Sequence, residues 1–184
     1  MKKLTIALLL ILAGCAGQPA TTNYYLLRQA TLPETRQLQP SAEYGLANVT
    51  IATYIDQPGL VMETPSGEYR AARYSQWAEP LRQSVQSFLA REISRDYGED
   101  ILPLRVSETP TGVHIRIDQL HGTNNGEALI AAVWWLRNDD GLLASHQFSK
   151  KVGLKSDGYA ALVEAEESLL SELGSAVAKT LAKP

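Results

Sequence analysis

The sequence predicts an α/β (α+β) domain in which one mixed, mainly antiparallel sheet carries two amphipathic helices packed on one face. Three observations support this fold class. The predicted elements follow the order strands, helix, strands, helix along the chain. Tight turn signals separate consecutive strands, which favours antiparallel pairing. Both helical segments place apolar residues at spacings of three and four.

The first half of the chain is predicted to contain four strands. β-branched and aromatic residues mark these strands, and Pro65-Ser66-Gly67 is typical of a hairpin turn between the third and the fourth. A stretch with two prolines and many polar residues, 28–43, is predicted to be a loop. The four predicted strands span 24–27, 46–55, 60–63 and 68–74.

Two segments show the periodicity of amphipathic helices. The first, 77–97, requires Pro80 in its first turn, where a missing N–H costs little, and Gly98 ends it. The second, 159–182, has Ser156 or Asp157 as a candidate N-cap. The apolar stripes are Trp77, Leu81, Val85, Phe88, Leu89 and Ile93 in the first helix, and Leu162, Leu169, Leu173, Val177 and Leu181 in the second.

Three further strands are predicted between the helices, at 113–118, 128–136 and 142–152. The second of them is apolar on both faces, which suits a central strand. Trp134 and Trp135 are adjacent in it and must point to opposite faces. One of them is expected to meet the helices. The other lies on the less covered face, where it is a candidate partner or lipid contact; simple burial is the alternative.

The N-terminus has the three zones of a bacterial secretory signal. A positive head (Met1-Lys2-Lys3) precedes an apolar run, and small residues follow at a cleavage point. The run has about ten residues, whereas a helix that crosses a bilayer needs about twenty. The ending, Leu12-Ala13-Gly14-Cys15, resembles the bacterial lipobox. We therefore predict a cleaved signal peptide at 1–14, a lipidated Cys15 with a tether at 15–23, and one domain at 24–184.

Cys15 is the only cysteine of the chain. An unpaired thiol in an exported protein needs an explanation, and acylation supplies one. An acylated sulfur is used up, so Cys15 is not expected to be a nucleophile or a metal ligand. The tether residues are small and polar, and the eight residues 16–23 reach less than about 30 Å when fully extended. The domain is therefore expected to sit close to its membrane.

The charge of the mature chain argues against nucleic acid as a partner. Removal of the signal takes Lys2 and Lys3 away and leaves 15 basic and 20 acidic residues, a net charge of about −5. No cluster of lysines and arginines remains. An acidic surface is not strongly attracted to anionic lipid headgroups either, so the acyl chains would have to provide the membrane attachment.

The chain shows no recognisable catalytic or cofactor motif. His114, His121 and His146 have no metal-ligand spacing. Glu164, Glu166 and Glu167 are close together on the last predicted helix, and we interpret them as a solvated face. No Walker loop, GxGxxG or Gly-x-Ser-x-Gly is present. We therefore predict no enzyme, no cofactor and no metal, with a periplasmic hydrolase as the alternative that a measured activity would revive.

Four segments in order resemble a known family. After the lipobox come Asn23-Tyr24-Tyr25-Leu26-Leu27, then a Tyr-Ile-Asp-Gln-Pro-Gly stretch within 49–61, then a Trp-Ala-Glu-Pro-Leu stretch within 74–81, and finally Asp157-Gly158-Tyr159. This pattern is similar to that of the ABC-type transport auxiliary lipoproteins, the PqiC/YmbA-like family. The resemblance covers nearly the whole mature chain.

The resemblance implies an accessory, non-catalytic role in envelope lipid transport. In such systems an MCE-type protein bridges the periplasm, and the lipoprotein docks or receives that bridge at the outer membrane, in some cases as a ring-forming homo-oligomer. Ala16 follows the lipidated Cys15, and the usual sorting rule then predicts the periplasmic face of the outer membrane. A structural or assembly lipoprotein of another envelope complex is the alternative. The family supplies no catalytic residues.

Overall fold

Seven strands and two helices occur in residues 20–27, 37–106 and 109–181, which are the residues that the computed structural model describes. Four strands precede the first helix, and three strands separate it from the second, as the sequence predicts. The strands are β1 (Asn23–Tyr25), β2 (Tyr44–Ile51), β3 (Gly59–Glu63), β4 (Tyr69–Trp77), β5 (Thr111–Gly122), β6 (Glu127–Asn138) and β7 (Gly141–Gly153). The helices are α1 (Leu81–Tyr97) and α2 (Tyr159–Thr180).

The strands form one open, mixed sheet. Its order is β1-β4-β3-β5-β6-β7, and β2 pairs with β5 beside this path. The three pairs joined by tight turns, β3–β4, β5–β6 and β6–β7, are antiparallel. β1 runs parallel to β4, and β2 runs parallel to β5. The predicted α+β fold with a mixed sheet is therefore confirmed.

β2 and β3 follow one another along the same edge of β5, and both run parallel to it. β2 pairs with Thr111 to Ile117 of β5, and β3 meets β5 again at Gly122. Between them the chain leaves the sheet at 52–58, after the Ala52 N–H has donated to the carbonyl of Ile117 (2.9 Å). The two strands thus act as one long strand with a break.

Both helices cover the same face of the sheet. α2 packs on β5, β6 and β7, while α1 packs on β2 and against α2. The two helices approach each other closely at Gly174, where an added Cβ would lie 2.6 Å from the Cβ of Glu92. The apolar side chains between helices and sheet form one core, and its largest fully buried members include Phe88, Leu46, Ile115, Ile130 and Leu169.

The first helix begins later than predicted. Trp77 ends β4, and its N–H donates to the carbonyl of Pro58 (2.7 Å), so it belongs to the sheet. Pro80 is the N-cap residue with an extended backbone and does not lie in the first turn. The residue before a proline is disfavoured in helical conformation, which explains why Glu79 cannot continue a helix into Pro80.

Three other predictions about local structure were wrong. The second strand ends at Ile51, because residues 52–56 fold into a hydrogen-bonded turn, with the N–H groups of Ile55 and Asp56 donating to the carbonyl of Ala52. The N-cap of α2 is Gly158, at φ 104°, and neither Ser156 nor Asp157 caps it with a side chain. Glu166 is buried in the helix stripe.

No helix in the described ranges is long and apolar enough to cross a membrane. The predicted signal at 1–14, Cys15 and the first part of the tether lie outside the described residues, as do 28–36 of the predicted loop and Ala182, the last residue of the second predicted helix.

Candidate partner-binding site on the open sheet face

The two tryptophans of β6 lie on opposite faces of the sheet, as strand alternation predicts. Trp134 faces the helices, is buried, and donates its Nε1–H to the hydroxyl of Thr180 on α2 (3.0 Å). Trp135 is half buried and lies on the face that the helices leave open. The structure therefore separates a packing tryptophan from one that is available at the surface.

Each tryptophan stacks on a histidine of a neighbouring strand. Trp135 lies opposite His114 of β5, with ring centroids 5.3 Å apart and ring planes 4° from parallel. Trp134 lies opposite His146 of β7, with centroids 5.1 Å apart and planes 20° from parallel. Such directly opposed pairs are the units that stabilise a sheet, so the stack fixes the orientation of Trp135 on the open face.

A groove of about 540 Å³ surrounds Trp135. This volume is within the range of roughly 300–1,000 Å³ that is usual for ligand pockets. β5, β6 and β7 line it, and its lining contains no carboxylate. The lining residues are Arg116, Val133, Trp134, Trp135, Arg137, Leu142, Ser145, His146 and Gln147.

The groove is locally cationic, although the mature chain is acidic. Arg116 forms an ion pair with Asp118 of its own strand (2.8 Å). Arg137 is exposed and forms no salt bridge with a residue in the described ranges. Burial, followed by the charge of Arg137, lowers the pKa of His114 below its usual value, so this ring is neutral near pH 7. Arg137 is therefore the positive charge of the groove that has no carboxylate partner among the described residues.

Exposed leucines stand beside the groove at the tip of the β6–β7 hairpin. Leu142 lines the groove and is 63% exposed, and its neighbour Leu143 is 54% exposed without lining it. Exposed apolar side chains mark interaction sites when they form a contiguous patch, and Leu142 lies with Trp135 and Val133 in the groove lining. Sequence reasoning missed Arg116, Arg137 and Leu142; strand alternation could have found only Arg137, two residues after Trp135 on the same strand.

A second aromatic cluster joins the far end of β5 to the break between β2 and β3. The rings of Tyr54 and Tyr69 lie 5.2 Å apart, and Tyr69 meets His121 at 4.8 Å. His121 is buried, and its Nδ1 lies 3.1 Å from the carbonyl of Gly122. Burial, followed by the neighbouring Tyr69, raises the pKa of Tyr54 to about 12. Tyr69 is 49% exposed and covers the buried His121 from the solvent side, so this cluster serves packing.

Glu166 is the most unusual ionisable group in the described part of the chain. It lies on α2 among core leucines, is 2% exposed, and burial raises the pKa of its carboxyl to about 8. Perturbed groups of this kind often mark functional sites. However, Glu166 lies on the helix side of the sheet, away from the Trp135 groove.

Three of the four segments that carried the family resemblance meet in one structural junction, and the fourth, Asp157-Gly158-Tyr159, leads into α2. The Trp77 N–H donates to Pro58, the Ala78 N–H donates to the carbonyl of Tyr25 (2.8 Å), and Arg82 forms an ion pair with Asp56. These contacts join β1, the break after β2, the end of β4 and the start of α1. Their role is to hold the sheet together, and none of these groups points to a reaction.

Gly59, within the same junction, allows β3 and β4 to approach closely. A Cβ at this position would lie 2.4 Å from the carbonyl oxygen of Ala72. The glycine is therefore required by space, which explains its place in the Tyr-Ile-Asp-Gln-Pro-Gly stretch. No group of three or more His, Cys, Asp or Glu residues in the described ranges is placed to hold a metal ion.

Comparison with known proteins identifies the chain's relatives. The family model described as "ABC-type transport auxiliary lipoprotein component" matches residues 24–178. The "Intermembrane transport lipoprotein PqiC" of Escherichia coli is 25% identical over 190 aligned residues, covering 98% of both chains. The Shigella flexneri protein of the same name matches equally well.

Two solved structures share the fold. The crystal structure of an uncharacterised protein covers 88% of this chain and 99% of its own, with a TM-score of 0.73 at 19% identity. A Xanthomonas campestris protein covers 84% and 92%, with a TM-score of 0.68 at 20% identity. These likenesses establish the architecture of the sheet and helices.

Proposed function

This chain belongs to the ABC-type transport auxiliary lipoprotein family, and from that membership we propose that it docks an MCE-type bridging protein at the outer membrane. It is an accessory lipoprotein of an intermembrane transport system. Its alignment with the PqiC relatives covers 98% of both chains. The single observation that carries the proposal is this match across the whole domain. The proposed role is non-catalytic, because binding and positioning require no reacting groups.

The proposed anchor is a set of acyl chains on Cys15. A buried CH₂ group contributes roughly 0.8 kcal/mol to membrane binding, and one chain alone binds only marginally, so several chains are needed for stable attachment. Since the tether is short, the domain stays near its own membrane, and a partner that spans the periplasm has to come to it. This geometry suits a docking protein.

Labelling and fractionation test the anchor and its location. Cells fed radioactive palmitate should label the wild-type protein and leave Cys15→Ser unlabelled. Wild-type protein should sediment with outer membrane on a sucrose gradient, and Ala16→Asp should move it to the inner membrane. Replacement of residues 1–15 by an ordinary cleavable signal is the control, because it should release the domain into the periplasm. Labelling of Cys15→Ser would contradict the anchor.

Binding to the MCE-type protein tests the docking role. The acylated protein, extracted in mild detergent, should retain the MCE-type protein of the same transport system on an affinity column. Deletion of the lipoprotein should weaken the envelope against detergents, and the wild-type gene should restore it. Recovery of a different envelope complex without the MCE-type protein would favour the structural or assembly role and contradict the proposal.

A further inference from the structure

We propose that the groove around Trp135 is the docking site for an acidic, apolar segment of the bridging partner. An apolar side chain of that segment would lie on Trp135 between Val133 and Leu142, and a carboxylate would bind Arg137. This inference rests on the proposed function, since it assigns the surface of the domain that meets the partner.

Charge complementarity selects an acidic occupant. The groove has two arginines and no carboxylate in its lining, and Asp118 already neutralises Arg116. Arg137 remains the cation with capacity for a new ion pair, and its guanidinium can bind a carboxylate through two parallel hydrogen bonds. The pKa of His114, the ring stacked beside Trp135, is lowered by burial and by Arg137, so this ring adds no second charge that would have to be matched.

The apolar part of the groove selects an apolar side chain next to that carboxylate. The stack on His114 fixes the orientation of Trp135, and the exposed Leu142 forms the adjacent rim. Tryptophan and arginine are among the residues that most often carry binding energy at protein interfaces. A tryptophan close to an arginine therefore has the composition of an interface centre, and Leu142 adds apolar surface beside it.

The position of the groove selects a protein over the membrane in which this domain is anchored. β1 lies at one edge of the sheet, and the chain enters it from the end where β5 finishes at Gly122. Trp135 lies four strands away, opposite His114 near the start of β5. With strands about 4.8 Å apart and about 3.3 Å per residue, the groove is roughly 25 Å from the entry point, at the diagonal corner.

Since the tether leaves the opposite corner, the groove and the leucine tip lie at the other end of the sheet from the point of attachment, where a partner that bridges the periplasm can reach them. The partner's segment, and not a headgroup of the same membrane, is the occupant that this arrangement fits.

A binding experiment with paired variants tests the proposal. The acylated full-length protein in detergent is titrated with the purified periplasmic part of the MCE-type protein, in 50 mM and 500 mM NaCl. Arg137→Glu and Leu142→Ser should each weaken binding at least tenfold. Arg70→Glu, another exposed arginine of the sheet, and Leu143→Ser, the adjacent leucine outside the groove, should stay within twofold of wild type.

Two further measurements make the result specific. High salt should weaken wild-type binding more than that of Arg137→Glu, because only the wild type has the ion pair to screen. Replacing the contacting carboxylate of the partner by lysine should restore binding to Arg137→Glu. Circular dichroism and thermal unfolding of each variant confirm that the fold is unchanged, since both substituted side chains are exposed.

The alternatives give different results, and each would overturn the proposal. Wild-type affinity in both groove variants would place the contact elsewhere and leave the proposed function standing. No binding by the wild type would reject the proposed function as well. Arg137-dependent binding to phosphatidylglycerol vesicles, with unchanged partner binding, would make a lipid the occupant. A change of oligomeric mass in the groove variants would make it a second copy of this chain.

Discussion

Replacing Glu166 by glutamine should stabilise the protein at alkaline pH and change little at acid pH. The carboxyl of Glu166 is buried on α2, where Leu162 and Leu169 precede and follow it along the same stripe. Burial raises its pKa from 4.5 to about 8. Glutamine has nearly the same shape but no proton to lose, so it removes the ionisation and keeps the packing.

The pKa shift sets the size of the effect. Between about pH 4.5 and pH 8 the folded protein keeps a proton on Glu166 that the unfolded chain has released. The contribution of this group to stability is therefore complete below pH 4.5 and is lost as the pH rises toward 8. Each pKa unit corresponds to about 1.4 kcal/mol, so the full loss is roughly 4–5 kcal/mol, and glutamine should recover a large part of it.

Urea unfolding followed by circular dichroism at pH 5, 6.5 and 8 measures this effect. The stability difference between Glu166→Gln and wild type should grow with pH, while other titrating groups cancel because both proteins share them. Tyr54, which is close enough to feel Glu166, stays neutral in this range because its pKa is raised to about 12. Glu164→Gln is the control, since Glu164 is exposed and lies 3.3 Å from Lys155. A pH-independent difference would refute the reasoning.

Three other substitutions test the packing of the domain by the same unfolding assay. Gly59→Ala should destabilise by about 1–3 kcal/mol, because the new Cβ meets the rigid backbone of the next strand; Gly153→Ala, which has open space, should be nearly neutral. Phe88→Ala should cost about 3–5 kcal/mol through the cavity that it leaves. Trp134→Phe should cost about 1–3 kcal/mol, because it removes the hydrogen bond to the Thr180 hydroxyl on α2 and part of a buried ring, although that hydroxyl keeps its bond to the carbonyl of Val177.

These packing predictions fail in distinct ways. If Gly59→Ala and Gly153→Ala were equally stable, β3 and β4 would be able to separate without cost. A loss below about 1 kcal/mol at Phe88 would mean that the core closes over the cavity. An unchanged Trp134→Phe would mean that the bond to α2 contributes nothing to folding.

The fold class could be predicted because local signals and global arrangement agree. The hairpin around Pro65-Ser66-Gly67 is an example: Gly67 adopts φ +80°, and the strands on either side pair as expected. The long apolar strand β6 is central, with β5 and β7 beside it. Tight turns dictate antiparallel neighbours, so this part of the sheet follows directly from sequence.

The parallel pairs could not be predicted, because no turn links their strands. β2 and β5 are separated by a hairpin and a helix, and nothing in either strand specifies its distant neighbour. The sequence predicts a helical Trp77 because its spacing to Leu81 and Val85 fits the helical period by coincidence. Trp77 instead belongs to the sheet, because its N–H donates to the carbonyl of Pro58, a contact between residues that are distant in sequence.

The candidate site was predicted in part. The opposite directions of Trp134 and Trp135 follow from strand alternation alone. The groove around Trp135 needs side chains from three strands, and its arginines become neighbours only through the register of β5 and β6. Glu166 was assigned to a solvated face because three nearby glutamates suggest solvent, whereas its place four residues after Leu162 and three before Leu169 puts it in the core. The interpretation of Cys15 as the anchor stays a prediction.

The break between β2 and β3 also affects the order in which the chain can fold. The segment from Thr111 to Thr180 contains β5, β6, β7 and α2 in sequence, joined by short connections, and can form most of its contacts locally. Local contacts form faster than distant ones. The N-terminal strands are synthesised first, and β3 can pair with β4 at once, yet β2 has no neighbour and the β3–β4 hairpin has no place in the sheet until β5 exists. Strand edges in the N-terminal half therefore stay unpaired until the C-terminal half provides β5, along which both β2 and β3 assemble.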